Sequence, residues 1–176
     1  VWPIGQITAD HKRDFTLVLK GTMALSRARF PKGTLSPMLD ALARAPLWAE
    51  SMDYGHGTGH GVGYFLAVHE GPQSISKAVA EPTMAMEPGM VTSIEPGLYR
   101  PGRWGVRIEN LVLNVPAQAS EFGEFLEFET LTLCPIDTRC IDVALLRADE
   151  IAWLNQYHAT VRARLAPRVS GDALAW

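Results

Sequence analysis

Five glycines at every second position, Gly55, Gly57, Gly59, Gly61 and Gly63, constrain this chain more than any other feature of its sequence. They lie in the run YGHGTGHGVGYFLAVHEGP, residues 54–72. His56 and His60 have the i, i+4 spacing of a helical metal-binding pair. A glycine inside a helix costs about 0.8–1.0 kcal/mol relative to alanine, so this run will not be helical. Glycine instead permits positive φ and lets the backbone approach another group closely. The local expectation is a loop running into a strand at 64–68, with His69 at the strand's end. Three of the five histidines fall in this run. Imidazole is a common metal ligand and the usual proton carrier near neutral pH. The run therefore reads as a site, held in place by the rest of the chain.

At 176 residues the chain fits one domain with a real core. A hydrophobic content of 47% and a charged content of 20% are ordinary globular values. The net charge of −3 offers no basic footprint for nucleic acid. No apolar run approaches the roughly 20 residues that span a bilayer, which argues against a membrane partner. Two cysteines, Cys134 and Cys140, make no disulfide framework and point to a reducing setting. No signal or transit segment is visible, and the opening Val1-Trp2-Pro3, without methionine, reads as a piece of something longer.

Thr8 or Asp10 is expected to cap a first helix running to about Phe30, with Phe15, Val18, Leu19, Thr22 and Leu25 as its buried stripe. Ser36-Pro37 starts a second, with Leu39, Leu42 and Ala43 inward and a kink or restart at Pro46. Strands follow: an apolar one at 90–94, a connection carrying Tyr99 and Arg100, an alternating one at 105–115 and another at 125–133. Asp142 or Asp149 caps a closing helix in which Ile151, Leu154, Val161 and Leu165 face the core. Helices, then strands, then one helix is an α+β order.

Chemistry is suggested where carboxylates meet apolar sequence. Glu95 stands where a strand enters a Pro-Gly turn, and Glu109 lies within an apolar strand two residues from Arg107. A carboxylate on a buried strand is costly unless it is paired or binds a metal. Glu109 has two readings: a salt bridge with Arg107, or a ligand. Glu95 is either a turn cap at the surface or a second ligand. With a loop imidazole the two form a mixed N/O set that fits Mn, Co or Zn. Glu127 and Glu129 read as a solvated strand face, His11 as a solvated helix end, and Tyr157, His158 and the cysteines as structural or incidental.

The strings HGTGHGVG…VHEGP, TSIEPGLY and GVRIENL, in this order and spacing, closely resemble the Xaa-Pro aminopeptidases (aminopeptidase P), metallopeptidases of the pita-bread fold. DALARAPLW before the site, and FETLTLCPI and EIAWLNQYH after it, extend the likeness over nearly the whole chain. The resemblance implies a single α+β domain over 1–176, the C-terminal portion of a pita-bread catalytic domain whose upstream portion is absent. It implies His60 as histidine ligand of a two-metal centre, Glu95 as ligand of one metal and Glu109 as the bridging carboxylate. His56 and His69 would line the substrate site, and Tyr99 and Arg107 would orient the ligand carboxylates. The implied reaction is hydrolysis of the bond between an N-terminal residue and a following proline in a peptide substrate. Its nucleophile would be a hydroxide held by two divalent ions, with Mn first and Zn or Co as alternatives. His69 would polarise the scissile carbonyl, and His56 would seat the proline side. A cytoplasmic setting is implied, while a homodimer or other self-association is expected from the sheet edge and apolar surface that the missing strands would leave uncovered.

The family's two aspartate ligands stand in motifs of the form DSGxxY and TTDxTR, and these 176 residues contain neither. Asp10 and Asp14 fall in the first helix, and the family gives Asp53 no such role. The expectation is therefore metal binding that is absent or partial, little or no activity from this chain alone, and self-association. The alternatives are a non-catalytic pita-bread module that binds peptides or proteins, and a glycine-rich loop around a structural metal.

Overall fold

The structure is a computed structural model and describes residues 1–65 and 67–175, Ala175 by its backbone only. Helix α1 (Ala9–Ser26) opens on a capping box. Thr8 Oγ1 accepts the His11 amide at 3.3 Å, and His11 Nδ1 accepts the Thr8 amide at 3.1 Å. His11 is thus a cap rather than a solvated end, and its ring meets the Trp104 ring edge-on. The expected stripe is buried, and so are Asp14, Leu17 and Met23, because α1 is enclosed on most of its circumference. The helix stops four residues short of Phe30. Phe30 lies in strand β1 (Arg29–Pro31) and packs on Phe128 of the sheet.

Helix α2 (Asp40–Trp48) follows a 3-10 turn at Ser36–Leu39 and runs through Pro46 without restarting. Leu39 and Ala43 face the core as expected. Leu42 does not: it is exposed, while Asp40 and Arg44 are buried at 4% and 1% exposure. The two charges share the buried face with Leu39, Ala43 and Leu47 because they pair with each other beneath the helix.

Strands β2 (Gly59–His60), β3 (Ser74–Ile75), β4 (Val91–Ile94), β5 (Gly97–Arg100), β6 (Trp104–Arg107), β7 (Asn110–Pro116) and β8 (Phe125–Thr130) complete the β-structure. The main sheet is antiparallel, ordered β1-β8-β7-β4; β2 pairs with β3, and β5 with β6. Tyr99 and Arg100, expected in a connection, lie in the hairpin strand β5. The single strand expected at 105–115 is two, broken at Ile108 and Glu109, where pairing passes from β5 to β4. The alternation survives the break: Val106, Ile108 and Asn110 are buried, and Arg107 and Glu109 are exposed. No strand forms at the described residues of 64–68; Tyr64, Phe65 and Val68 are exposed in bends, and Leu66 lies outside the described residues.

Helix α3 (Ala148–Leu165) closes the fold, with Asp149 in its first turn rather than at its cap, and Asp142 caps a short 3-10 turn instead. Leu154 and Val161 are buried. Tyr157 donates its hydroxyl to the Cys134 carbonyl at 2.7 Å, and His158 Nε2 accepts the Ile136 amide at 3.0 Å. Both are structural, as expected. Two apolar clusters lie side by side, one between α1, α3 and the β5–β6 hairpin, the other between α2 and the main sheet.

Candidate functional site

Strand β2, with the residues that flank it, runs between β3 and β4. On one side the Glu95 amide donates to the Thr58 carbonyl at 2.7 Å and the Val62 amide to the Val91 carbonyl at 2.9 Å. On the other, the Thr58 amide donates to the Ile75 carbonyl at 2.8 Å and the Gly61 amide to the Gln73 carbonyl at 3.1 Å. The approach is too close for side chains. A Cβ on Gly59 would stand 1.9 Å from the Ser93 carbonyl oxygen, and one on Gly61 2.0 Å from that of Glu70. None of the five alternating glycines has positive φ. Close approach to neighbouring backbone, not left-handed conformation, is what Gly59 and Gly61 supply.

This packing sets His60 beside Glu95. The His60 amide donates to Ser93 Oγ at 3.0 Å, and that hydroxyl donates to Glu95 Oε1 at 2.9 Å. His60 Nδ1 lies 2.9 Å from the Gly61 carbonyl oxygen, an atom that only accepts, so Nδ1 carries a proton. Nε2 then faces Glu95 Oε1 across 3.0 Å. In the neutral imidazole both of these atoms are acceptors. A second ring proton or a cation between them is needed to make the contact attractive, and one nitrogen with one carboxylate is a donor set that suits a divalent transition metal.

The other carboxylate oxygen, Glu95 Oε2, is 3.2 Å from Arg107 Nη1. Arg107 Nε donates to the Tyr99 hydroxyl at 2.8 Å, and that hydroxyl is 2.9 Å from His56 Nε2. Because His56 Nδ1 lies 2.8 Å from the Gly57 carbonyl oxygen, it too carries the proton. Its Nε2 is therefore left to accept from Tyr99. The Tyr99 hydrogen bond raises the pKa of the Arg107 guanidinium, and the charges of Glu95 and Glu109 add to this against the cost of desolvation. On the far side, His69 is exposed and its ring centroid is 4.2 Å from that of His60. Six side chains thus form one run of contacts, His69–His60–Glu95–Arg107–Tyr99–His56.

Glu109 does not share the salt bridge with Arg107 that its spacing suggested; Arg107 pairs with Glu95 instead. Glu109 sits in the break between β6 and β7, exposed rather than on a buried strand. The register is the same on both sides of that break, Ile94 opposite Asn110 and Gly97 opposite Arg107, so Glu95 and Glu109 are directly opposed. Among the described residues no group of three or more His, Cys, Asp or Glu side chains gathers closely enough to hold a metal. Ser93 also touches the site, while Thr58, Asp40 and Arg44 support the backbone behind it. Of these only Asp40 and Arg44 had a signal in the sequence, opposite charges four residues apart in an otherwise apolar helix.

The chain matches the family model for metallopeptidase family M24 over residues 1–115 and that for the C-terminal region of these peptidases over 124–176. It is 44% identical over 180 residues to a probable Xaa-Pro aminopeptidase P of Laccaria bicolor, covering 99% of this chain and 28% of that protein. It is 43% identical to aminopeptidase P1 of Arabidopsis thaliana, covering 98% of this chain and 27% of that one. Among solved structures it resembles the X-prolyl aminopeptidase of Caenorhabditis elegans, described as a cytosolic enzyme with a di-nuclear active site. The TM-score is 0.88 at 42% identity, over 97% of this chain and 28% of that one. The prolidase of Pyrococcus furiosus matches with a TM-score of 0.55 at 33% identity, over 62% of this chain and 31% of that one. The chain therefore spans less than a third of the length of these relatives. With its α+β fold of the pita-bread type, it belongs to metallopeptidase family M24.

Proposed function

We propose that this chain supplies His60, Glu95 and Glu109 to a dinuclear centre that releases an N-terminal residue from a following proline. The observation that carries this reading is the approach of His60 Nε2 to Glu95 Oε1 at 3.0 Å, two lone-pair-bearing atoms aimed at each other. Glu109, whose register lies opposite Glu95 across the strand break, would add the second carboxylate. Manganese is the metal we favour, with zinc or cobalt compatible with the same donors. When bound, two such ions supply Lewis acidity toward the scissile carbonyl and the attacking water. Arg107 and Tyr99 hold the Glu95 carboxylate in orientation. His69, exposed beside His60, is placed to donate to the scissile carbonyl oxygen as negative charge develops there. His56, its Nε2 occupied by Tyr99, offers a ring face to the proline side of the peptide. We place the reaction in the cytosol, the compartment described for the nematode relative.

Titration of Mn²⁺ or Co²⁺ into the 176-residue chain tests this reading. The expected result is one weak site, lost in His60→Ala and Glu95→Gln and weakened about 10- to 100-fold in Arg107→Met, which removes only the orienting guanidinium. Little or no release of the first residue from an Xaa-Pro peptide is expected from this chain alone. Binding indifferent to all three substitutions would overturn the ligand assignment. Fast metal-dependent release would overturn the expected inactivity.

We also propose that the protein self-associates through the outward face of α2. Leu42 and Trp48 are exposed there with Ala41 and Ala45, Met38 is exposed in the turn that precedes the helix, and both charges of the helix point inward. Sedimentation equilibrium is expected to show a mass that rises with concentration, and Leu42→Glu to return it toward the monomer. A monomer at every concentration would contradict this.

A further inference from the structure

The buried charges of α2 have partners that the proposed chemistry does not use. Arg44 Nε donates to Asp40 Oδ2 at 2.6 Å. Its Nη1 donates to Asp53 Oδ1 at 2.7 Å and to the Tyr54 carbonyl at 2.8 Å, and its Nη2 to the His56 carbonyl at 2.7 Å. The guanidinium carbon lies 3.9 Å from the centroid of the Tyr54 ring. The second oxygen of Asp40 accepts the Thr58 hydroxyl at 2.5 Å, and Thr58 Oγ1 in turn accepts from the Tyr54 hydroxyl. Burial pushes the Tyr54 pKa up to about 12, so its hydroxyl stays a donor throughout the neutral range. One guanidinium therefore grips the backbone on both sides of Gly55. Through Asp40, the same network reaches the residue that opens the Gly59–His60 strand.

A buried ion pair is weak evidence for stability, since apolar residues of the same volume often serve as well or better. What this one provides is conformation. Gly55 and Gly57 flank His56 and leave its backbone loosely restrained; a Cβ on Gly55 would meet nothing within 4 Å. The carbonyls of Tyr54 and His56 are fixed by Arg44, and only then do His56 Nδ1 and Nε2 reach Gly57 and Tyr99.

We infer that Arg44, braced by Asp40 and Asp53, is a positioning residue for His56, acting through the backbone carbonyls on either side of Gly55. Its bearing on catalysis rests on the substrate-facing role proposed for His56. The test reads the imidazole alone, so it stands or falls independently of metal binding and peptide hydrolysis.

The measurement is imidazole ¹⁵N NMR of the histidine-labelled chain. In the unaltered protein His56 is expected in one tautomer, protonated at Nδ1. In Arg44→Lys, a single ammonium cannot span both carbonyls. The two His56 nitrogen shifts are then expected to collapse toward the exchange average of a free imidazole. His158, held by the Ile136 amide on α3, should keep its shifts and report that the fold is intact. A folded Arg44→Lys in which His56 keeps its single tautomer overturns the inference. If that variant does not fold, Asp53→Asn replaces it, because Asp53 is half-exposed and braces the same Nη1. Movement of the His56 shifts toward the average supports the inference there, and unmoved shifts overturn it.

Discussion

Gly59→Ala is expected to destabilise the protein by about 3–5 kcal/mol, which at this size lowers the melting temperature by roughly 6–20 °C. The added methyl would stand 1.9 Å from the Ser93 carbonyl oxygen and 3.0 Å from its carbon, both backbone atoms of β4. No rotamer change relieves that contact, so β2 and its flanking residues must move away from β4. The movement opens three hydrogen bonds, from the Glu95, Val62 and His60 amides. Each is worth about 1 kcal/mol net, and overpacking strain adds to their loss. The same movement separates His60 from Glu95, so metal binding should fall with stability. Gly55→Ala is the control: open space surrounds its Cβ and its φ is not positive, so it should be neutral or slightly stabilising. Urea unfolding followed by circular dichroism compares the two. Equal stabilities would show that the strands do not approach as closely as described.

The glycine run was legible as a site because its spacing excluded a helix, yet the reason for the glycines lay elsewhere. Ser93 and Glu70, the residues that crowd Gly59 and Gly61, are distant in sequence or across a loop, and no local pattern announces a close approach. Hydrophobic pattern was reliable where apolar residues are simply buried. The α1 stripe and the apolar strand near 91–94 are where periodicity put them. It failed at Leu42, because face assignment by hydropathy assumes that charges point outward, and Asp40 and Arg44 satisfy each other and two carbonyls inside. At 105–115 the alternation was right and the strand count wrong. Alternation records which face a residue takes, not which strand it pairs with, and the change of partner falls at Glu109. At 64–68 an apolar run suggested a strand, but Tyr64 and Phe65 point to solvent and bury nothing. The loop histidines, Glu95 and Arg107 stood out by residue chemistry and Tyr99 by motif resemblance, and their mutual contacts come only from the fold.

Asp14 passed in the sequence for an ordinary helix residue, and its replacement carries the second large expected effect. It is fully buried, and its carboxylate takes Arg100 Nε at 2.6 Å, Arg100 Nη2 at 2.9 Å and Trp104 Nε1 at 2.9 Å. Those partners lie on the β5–β6 hairpin, which also carries Tyr99 and Arg107. Asp14→Asn leaves the Arg100 charge without its counterion, and breaking a buried pair in this way costs about 3–5 kcal/mol. Arg100 is partly exposed and recovers some hydration, so about 2–3 kcal/mol is the expected loss near neutral pH. The pH dependence separates charge from shape. Burial pushes the Asp14 carboxyl up, but the hydrogen bonds from Arg100 and Trp104 outweigh it and leave the group below its ordinary value of 3.8. A carboxylate with a depressed folded pKa stabilises fully above its unfolded value, and that contribution disappears as pH falls through the folded one. The gap between the unaltered protein and Asp14→Asn should therefore be constant from about pH 7 to about pH 5 and narrow below about pH 4. Asp53, Asp137 and Glu150, whose carboxyls are also depressed, titrate in both proteins and cancel in the difference. Urea midpoints across this range decide the matter, and a gap as wide at about pH 3 as at about pH 6 would mean that shape, not charge, anchors the hairpin. If charge does anchor it, Mn²⁺ affinity should fall in Asp14→Asn as well, because the freed hairpin takes Arg107 away from Glu95.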